Sequence, residues 1–242
     1  MPDGRVDCVI VGEAAEAYMK DALSPYGVRV ITCPANALLD ARLSSHVDLS
    51  LIHLSGNRLL VSDAVCRHAF AASLIKLGAE LIAASTVLGD KYPQDCGLCA
   101  LILGPKLFHN LKHSDKALLS ETGYKHIHVN QGYTKCAVCI VSESAVITSD
   151  LGVAKRMREN GVDVLTISTG GIELEGYDTG FIGGAAFKLS KDKLAFTGVL
   201  DKCSDKERIE EFLAFHGIRT VYLTNRPLFD IGSIVPLTEY CG

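Results

Sequence analysis

The sequence has no hydrophobic segment long enough to form a transmembrane helix. Uncharged stretches reach only ten residues, as at 96–105, whereas a helix that crosses a bilayer needs about 20 apolar residues. The first seven residues, MPDGRVD, also lack the basic and apolar regions of a signal peptide. We therefore expect a cytoplasmic protein that has no membrane partner.

The sequence also lacks a basic run and a large excess of charge of either sign. Its 24 basic and 28 acidic residues give a formal net charge of −4, which argues against a nucleic-acid partner. The Walker phosphate loop, H-E-x-x-H and G-x-S-x-G are absent, and residues 6–12 carry only Gly12 in place of a G-x-G-x-x-G dinucleotide loop. A small molecule is the expected partner, and we expect neither a cofactor nor a metal.

The composition predicts a folded chain with a large core. The chain has 242 residues, of which 48% are hydrophobic and 21% charged, and its mean hydropathy is +0.22. These values exclude a disordered or fibrous protein. Single α/β barrels and propellers reach this length, so we expect one domain over residues 1–242, with two small domains as the alternative.

The nine cysteines of a chain without a secretory signal are expected to be reduced and mostly buried as small hydrophobic residues. Cys96-x-x-Cys99 and Cys136-x-x-Cys139 resemble a zinc pattern. The 36-residue gap between the pairs exceeds the usual ribbon spacing, and both pairs lie in apolar runs. A zinc protein using these four thiols therefore stays open as a less favoured alternative.

One pattern recurs five times along the chain: a helix-like segment, a glycine and a short apolar strand. The glycines are Gly27, Gly78, Gly123, Gly161 and Gly217, and each position suits a left-handed residue that ends a helix. Successive intervals are 51, 45, 38 and 56 residues, and the interval across the joined termini is 52. Five similar intervals predict five modules in a closed ring.

Each of the four later helices follows two apolar runs that are separated by turn residues. The first runs of these pairs are residues 46–53, 96–103, 136–141 and 181–189. The module is therefore ββαβ. Residues 230–237 supply the first strand of the fifth module and residues 6–34 supply the rest, so the strand at 230–237 should pair with the strand at 6–11.

Capping residues mark where the helices begin. The predicted starts lie near Glu13, Ser62, Ser114, Asp150 and Ser204. Four of these residues are good N-caps, and Ser204 with Glu207 has the spacing of a capping box.

Two short motifs open first strands of the predicted modules. His46-Val-Asp48 opens the second module, and Gly132-Tyr-Thr-Lys-Cys136 opens the fourth. The ring and these motifs resemble the pentein propeller of the guanidino-group-modifying enzymes: arginine deiminase, agmatine deiminase, dimethylarginine hydrolase and amidinotransferases. The first motif looks like the H-x-D signature of the catalytic histidine, and the second is similar to the G-x-x-x-C strand of the nucleophilic cysteine. The resemblance implies a five-bladed α/β propeller with Cys136 and His46 as catalytic residues.

Module order extends this resemblance. Known members place the cysteine two modules after the histidine, as Cys136 follows His46 here. Their next module holds a carboxylate that binds guanidinium, and here that module contains Glu173, Glu175 and Asp178. Asp178, just before the strand at 181–189, is our choice for this role.

The resemblance implies roles for two more carboxylates. The next module begins with Asp230-Ile-Gly-Ser, which implies that Asp230 orients His46. Asp48 of the H-x-D motif joins Asp178 in binding the substrate.

The sequence departs from the family at its C-terminal strand. Known members carry the cysteine there, whereas residues 230–237 contain none; a circular shift of the module order accounts for this difference. Cys241 lies beyond that strand in a tail and is expected to be a poor nucleophile. An uncharacterised family described as having the same fold has H-x-D, G-Y-T-K-C and D-I-G-S segments that look close to these.

The chemistry suits these residue types independently of the resemblance. A guanidinium carbon is a poor electrophile, so attack on it favours a thiolate, while carboxylates hold the cation. One histidine can protonate the leaving group and then activate water. We expect a cysteine-dependent hydrolase of deiminase or amidinohydrolase type, or an amidinotransferase-like enzyme, acting on a guanidine or amidine compound. The alternative is a non-catalytic pentein binding module, as in a ribosome-associated translation factor, and a homodimer is compatible with both.

Overall fold

The computed structural model describes residues 2–240, and Cys241 lies outside the described residues. The α-helices are α1 Glu16–Leu23, α2 Val47–Ser50, α3 Asp63–Arg67, α4 Ala69–Lys76, α5 Lys116–Leu119, α6 Thr134–Ala137, α7 Leu151–Arg158 and α8 Lys206–Phe215. The strands are β1 Arg5–Gly12, β2 Arg29–Cys33, β3 Leu51–His53, β4 Arg58–Val61, β5 Glu80–Ala83, β6 Leu101–Leu103, β7 Lys106–His109, β8 Lys125–His128, β9 Val138–Ser142, β10 Ala145–Thr148, β11 Asp163–Thr166, β12 Ala186–Ser190, β13 Lys193–Phe196, β14 Arg219–Tyr222 and β15 Val235–Tyr240.

One pairing pattern recurs throughout these strands. A first strand pairs antiparallel with a second, and the second pairs parallel with a third after an intervening helix. Three separate three-stranded sheets have this pattern, namely β3-β4-β5, β6-β7-β8 and β9-β10-β11. The predicted ββαβ unit is therefore present in each of these sheets.

The remaining strands form one six-stranded sheet that contains the pattern twice. β12, β13 and β14 form one unit, and β15, β1 and β2 form another. A pairing of Arg5 with Ser190 joins the two units. Because β15 pairs with β1, with Val235 opposite Ile10, the predicted pairing of the C-terminal strand with the N-terminal strand is confirmed.

The helix ends match the glycine pattern at four of its five positions. Gly27, Gly78, Gly161 and Gly217 have φ angles from +66° to +91°, the left-handed region that glycine adopts without steric cost. Gly123 is not in that region. The predicted periodicity therefore marks real helix ends in four units.

The helix starts follow the prediction less closely. The Asp150 carboxylate caps α7 by accepting a hydrogen bond from the amide of Val153 at 2.9 Å. Helix α8 follows Asp205 and has no side-chain cap, so the capping box predicted at Ser204 and Glu207 is wrong.

The first strands begin later than predicted. β3 begins at Leu51, β9 at Val138, β12 at Ala186 and β15 at Val235, two to five residues after the predicted runs begin. The preceding residues form single helical turns, as in α2 and α6, or irregular chain. Two of these turns hold residues of the motifs, Asp48 in α2 and Cys136 in α6.

The core lies between neighbouring units. One cluster joins β9–β10 to β12–β13 and α8 through residues such as Ile147, Phe196 and Leu213, and another joins β1 and α1 to β12 through Val9, Met19 and Phe187. Within residues 2–240, no helix is both long enough and apolar enough to cross a membrane.

Candidate active site

His46, Asp48 and Cys136 come together although they are far apart in sequence. One ligand atom from each lies within 4.8 Å of the other two. His46 immediately precedes α2, Asp48 lies in α2, and Cys136 lies in α6, so these residues do not lie on strands as predicted. Each of them is buried.

The Cys136 thiol has two polar neighbours. Its Sγ donates a hydrogen bond to Oδ2 of Asp48 at 2.8 Å, and the Sγ of Cys99 lies 3.7 Å away. Leu39, Leu49 and Leu88 complete an apolar cluster around the two sulfurs. The thiol is therefore enclosed, with one carboxylate and one second thiol in contact.

Ser233 and Lys135 hold the Asp48 carboxylate in place. The Ser233 hydroxyl donates to Oδ2 of Asp48 at 2.5 Å, and Nζ of Lys135 donates to the Ser233 hydroxyl at 3.1 Å. Ser233 is fully buried with φ +74°, a conformation that costs a non-glycine residue about 1–2 kcal/mol. The buried Oδ1 of Asp48 has no hydrogen-bond partner among the described residues.

Asp230 lies beside this group, in a space that two glycines provide. Its carboxylate accepts hydrogen bonds from the amides of Phe181 at 2.9 Å and Gly232 at 2.8 Å. A Cβ on Gly184 would lie 1.9 Å from Oδ1 of Asp230, and a Cβ on Gly232 would lie 2.2 Å from Cγ of His46. Glycine is therefore required at both positions for the side chains to converge.

His46 and Asp230 are neighbours without a hydrogen bond between them. Within residues 2–240 the His46 ring makes no hydrogen bond, and both Asp230 oxygens bind backbone amides. His46 nevertheless lowers the pKa of Asp230, while burial has the larger, opposite effect and the net pKa is raised. The role of Asp230 in orienting His46 stays a prediction.

The Cys136 thiol is held in its neutral form. Its pKa is raised well above the ordinary thiol value, first by the hydrogen bond with Cys99, then by burial and by the charge of Asp48. Because nearby negative charge contributes to this rise, a cation bound at the site would lower the pKa of the thiol.

Asp178 is exposed in the loop that leads to Gly180. Its carboxylate makes no hydrogen bond among residues 2–240. A Cβ on Gly180 would lie 2.6 Å from the Cβ of Asp230, so the loop reaches the buried group two residues after Asp178. Whether Asp178 binds substrate stays a prediction.

The described residues contain one group of three potential metal ligands, His46, Asp48 and Cys136. Cys96, Cys99 and Cys139 are not part of it. The Cys96 thiol donates to the carbonyl of Pro93 at 3.3 Å, and Cys139 packs in the cluster between β9 and β12. The zinc alternative, which requires all four thiols at one point, is therefore not supported.

Cys99, Lys135 and Ser233 are site residues that were not predicted from the sequence. Cys99 and Lys135 stand inside the two motifs that were noted, and Ser233 ends the Asp230-Ile-Gly-Ser segment. The backbone hydrogen bond from Lys135 N to Cys99 O, 3.0 Å, joins the two motifs.

Comparisons with known proteins agree on the fold. A model of a family described as a family of unknown function, DUF6873, matches residues 10–235. None of the curated proteins is similar enough to match.

Several solved structures are similar to this chain. An amidinotransferase of saxitoxin biosynthesis from Microseira wollei has a TM-score of 0.58 at 11% identity, over 98% of this chain and 96% of that one. An inosamine-phosphate amidinotransferase from Streptomyces griseus also has a TM-score of 0.58, at 10% identity over 100% and 97%. DDAH from Pseudomonas aeruginosa, a cysteine-to-serine variant in complex with citrulline, has a TM-score of 0.51 at 10% identity over 90% and 92%. The chain therefore has the mixed α/β fold of the pentein superfamily.

Proposed function

The chain belongs to the DUF6873 family, whose function is unknown, and we propose that it is a cysteine-dependent enzyme that acts on the guanidino group of a small molecule. The observation that carries this proposal is the contact between the Cys136 thiol and the Asp48 carboxylate at 2.8 Å, with His46 beside both. A nucleophile, a cation-binding carboxylate and a proton carrier at one point are what the reaction requires. The amidinotransferases and DDAH with the same fold add support.

Asp48 binds the substrate cation in this proposal. Its buried Oδ1 has no partner, and a guanidinium N–H in that position would form a charge-assisted hydrogen bond. Oδ2 stays with Ser233 and the Cys136 thiol, so the guanidinium carbon would lie next to the sulfur. Asp178, at the surface, is proposed to contact the same cation as it enters.

Binding of the cation prepares the nucleophile. The positive charge of the guanidinium offsets the negative charges of Asp48 and Asp230. It also lowers the pKa of the Cys136 thiol. The Cys136 proton passes to His46. The thiolate then attacks the central carbon, and a C–S bond forms.

The tetrahedral intermediate collapses by breaking one C–N bond. His46 returns its proton to the departing nitrogen, which leaves as ammonia or an amine, and an amidino group stays on Cys136 as a thiouronium. Water activated by neutral His46 then releases a urea-type product, or an acceptor amine takes the amidino group. Hydrolase and transferase differ only in this second nucleophile.

We also propose that the five units close into the five-bladed ring, as one domain of residues 1–242. Backbone hydrogen bonds connect the residues before the first strands of successive units, which supports this arrangement. They run from Lys135 N to Cys99 O (3.0 Å), Gly184 N to Cys136 O (3.1 Å), Ser233 N to Gly184 O (3.0 Å) and Asp48 N to Gly232 O (3.2 Å). Leu49 and Cys99, which share one apolar cluster, provide the fifth connection. A crystal structure with the units in a row would contradict the ring.

Covalent labelling tests the site. A haloacetamidine carries the planar cation of a guanidine and a leaving group, whereas the matching haloacetamide is neutral. The purified chain is incubated with each reagent at equal concentration, and intact mass and peptide mapping follow the product. We expect the amidine to label Cys136 severalfold faster, because its cation is attracted to Asp48 and lowers the pKa of the thiol.

Cys139 provides the matched control. It is a buried thiol three residues along the chain, and burial raises its pKa to about 12, but it packs in a different cluster. Cys139→Ser should label like the wild type, and Cys136→Ser should lose the label at position 136 and the preference for the amidine. Equal rates for the two reagents would leave a non-catalytic binding module as the better explanation. A homodimer and a cytoplasmic location stay predictions.

A further inference from the structure

A second thiol lies at the proposed active site and has no part in the reaction proposed above. The Cys99 Sγ is 3.7 Å from the Cys136 Sγ, and Cys99 is fully buried while Cys136 is 4% exposed. No other cysteine among residues 2–240 forms a sulfur-to-sulfur contact of this kind. The thiols of Cys33, Cys96 and Cys203 instead face backbone carbonyls.

The backbone keeps the two sulfurs together. Lys135, the residue before Cys136, donates its amide hydrogen to the carbonyl of Cys99 at 3.0 Å, and the amide of Cys99 donates to Cys96 O at 2.9 Å. The two cysteines therefore belong to directly bonded chain segments. A disulfide has an S–S length of about 2.05 Å, so bond formation from the 3.7 Å contact requires the sulfurs to approach by about 1.7 Å.

We propose that Cys99 and Cys136 are an oxidative modification site, which a hydroperoxide converts into a reversible disulfide. The disulfide itself does not depend on the enzymatic activity proposed above. Its consequence does: with Cys136 bound to Cys99, no thiolate is available to attack a guanidinium carbon. The pair would then switch the enzyme off under oxidising conditions.

The chemistry takes place in two balanced steps. The Cys136 sulfur attacks one oxygen of the hydroperoxide, the O–O bond breaks, and the products are a sulfenic acid and an alcohol, or water when the oxidant is hydrogen peroxide. The Cys99 sulfur then attacks the sulfenic sulfur, an S–S bond forms, and water leaves with the Cys99 proton. The two thiols lose two electrons in total, and the hydroperoxide gains them.

The geometry determines which thiol reacts first. Cys136 is the more exposed of the two and lies beside His46, which can accept its proton. Because its pKa is raised, only a small fraction of Cys136 is thiolate. We therefore expect slow oxidation, over minutes at high peroxide concentration, rather than the fast oxidation of a peroxide sensor. Once the sulfenic acid forms, Cys99 is already in contact with it and should trap it before a second oxidation to the irreversible sulfinic acid.

The experiment compares three chains after reduction: the wild type, Cys99→Ser and Cys96→Ser. Cys96 is the matched control because it shares the C-x-x-C motif but its thiol faces Pro93 O. Each chain is exposed to graded hydrogen peroxide, denatured with a thiol-blocking reagent and examined by intact mass and non-reducing peptide mapping. Thermal unfolding of each variant confirms that it is folded, and Cys99→Ala replaces the serine variant if it is not.

The wild type and Cys96→Ser should yield a peptide that links Cys99 to Cys136, with a mass about 2 Da below that of the reduced form, and dithiothreitol should restore the thiols. Cys99→Ser should instead gain about 32 or 48 Da at Cys136, as sulfinic or sulfonic acid. Failure of the wild type to form this link, or a link to another cysteine, would overturn the proposal. The disulfide is detected by mass and does not require enzyme activity. It can therefore form even if the haloacetamidine experiment contradicts the proposed function, so failure of the disulfide proposal and failure of the proposed function are distinguishable.

Discussion

The Cys136 thiol donates its hydrogen bond to a carboxylate, Oδ2 of Asp48, at 2.8 Å. This contact has opposite consequences for the empty and the occupied site. In the empty site the Asp48 charge raises the pKa of the thiol and suppresses its reactivity. With a cation present, the same charge holds the electrophile against the sulfur.

Replacing Asp48 should therefore change the two labelling rates unequally and lower the ratio of the amidine rate to the amide rate. In Asp48→Asn the neutral haloacetamide should label Cys136 severalfold faster, because loss of the Asp48 charge removes one of the causes that raise the pKa of the thiol, after the Cys99 hydrogen bond and burial. The cationic haloacetamidine should lose its advantage, because the charge that attracts it is gone. Timed intact-mass measurements of both reagents check this prediction.

Asp95→Asn is the matched control for this substitution. Asp95 is also buried with an unpartnered Oδ1, but its other oxygen accepts a hydrogen bond from the Tyr133 hydroxyl at 2.6 Å. Its variant should keep both wild-type rates. A fall of both rates in Asp48→Asn would mean that Asp48 only supports the structure.

Ser233 combines a strained backbone with a functional hydroxyl. At φ +74°, glycine is the one residue that avoids the steric cost, so Ser233→Gly should be more stable than Ser233→Ala by about 1 kcal/mol in urea unfolding. Both variants lose the hydrogen bond to Asp48 and should lower the amidine-to-amide labelling ratio equally.

Ser50 provides the control with ordinary backbone geometry. It is buried in the helical turn α2, where glycine is less favourable than alanine by about 1 kcal/mol. Ser50→Ala should therefore be more stable than Ser50→Gly. The same order at both serines would contradict the strain at Ser233.

His109 makes the stability of the segment that contains Cys136 depend on pH. Its Nε2 lies 2.7 Å from the carbonyl of Gly132 and must donate to it, and Nδ1 faces the Ser114 hydroxyl at 2.6 Å. Burial lowers the pKa of His109 to about 4 from the ordinary 6.5. The folded chain thus favours the neutral ring.

The sign of the pH dependence follows from this lowered pKa. Stabilisation by neutral His109 is complete above pH 6.5 and is lost as the pH falls toward 4, by about 3 kcal/mol in total. In His109→Gln, the free energy of unfolding should fall less than in the wild type between pH 7 and 4.5, because the carboxylates common to both chains cancel in the difference. Urea unfolding of both chains at several pH values checks this prediction. If the free energies of unfolding of both chains fall equally with pH, His109 does not cause the pH dependence.

Some of the architecture was predictable because its signals are local. The glycines that end helices and the turn residues between apolar runs are readable residue by residue, so the ββαβ unit and the pairing of β15 with β1 followed from them. The residue at which each first strand begins was not predictable from the sequence. An apolar run such as 136–141 looks the same whether or not its first residues form a helical turn.

The site was predictable only in part, for a related reason. His46, Asp48 and Cys136 belong to short motifs, and the structure brings them together. Cys99 and Ser233 reach the same point through packing between modules, which no local spacing encodes. The exposed position of Asp178 depends on how its loop lies against the neighbouring units, which is likewise beyond a reading of the sequence.

The segment that connects β2 to α2 covers the sulfur of Cys136. Leu39 of this segment packs in the apolar cluster with Cys136. Arg42 fixes the segment from outside: it donates to the carbonyl of Gly176 at 3.3 Å, and its guanidinium lies 4.7 Å from the centre of the Tyr177 ring. We expect a substrate to displace part of this segment, so the Arg42 contacts should limit access to the thiol.

Arg42→Ala should therefore speed alkylation of Cys136 by the small neutral haloacetamide only about two- to fivefold, because exposed contacts of this kind are weak. The Cys136 environment itself is unchanged, so the ratio of amidine to amide rates should stay the same. Arg42 also forms an ion pair with Asp40 at 2.7 Å. Arg156→Ala is the control, since Arg156 likewise combines an ion pair, with Glu159, and a hydrogen bond to a carbonyl, that of His128 at 3.2 Å, but lies on α7. Labelling of Arg156→Ala should match the wild type. If Arg42→Ala also labels at the wild-type rate, the Arg42 contacts do not limit access to Cys136. The next contact to weaken by substitution is then that of Leu88 with the cluster around the two sulfurs.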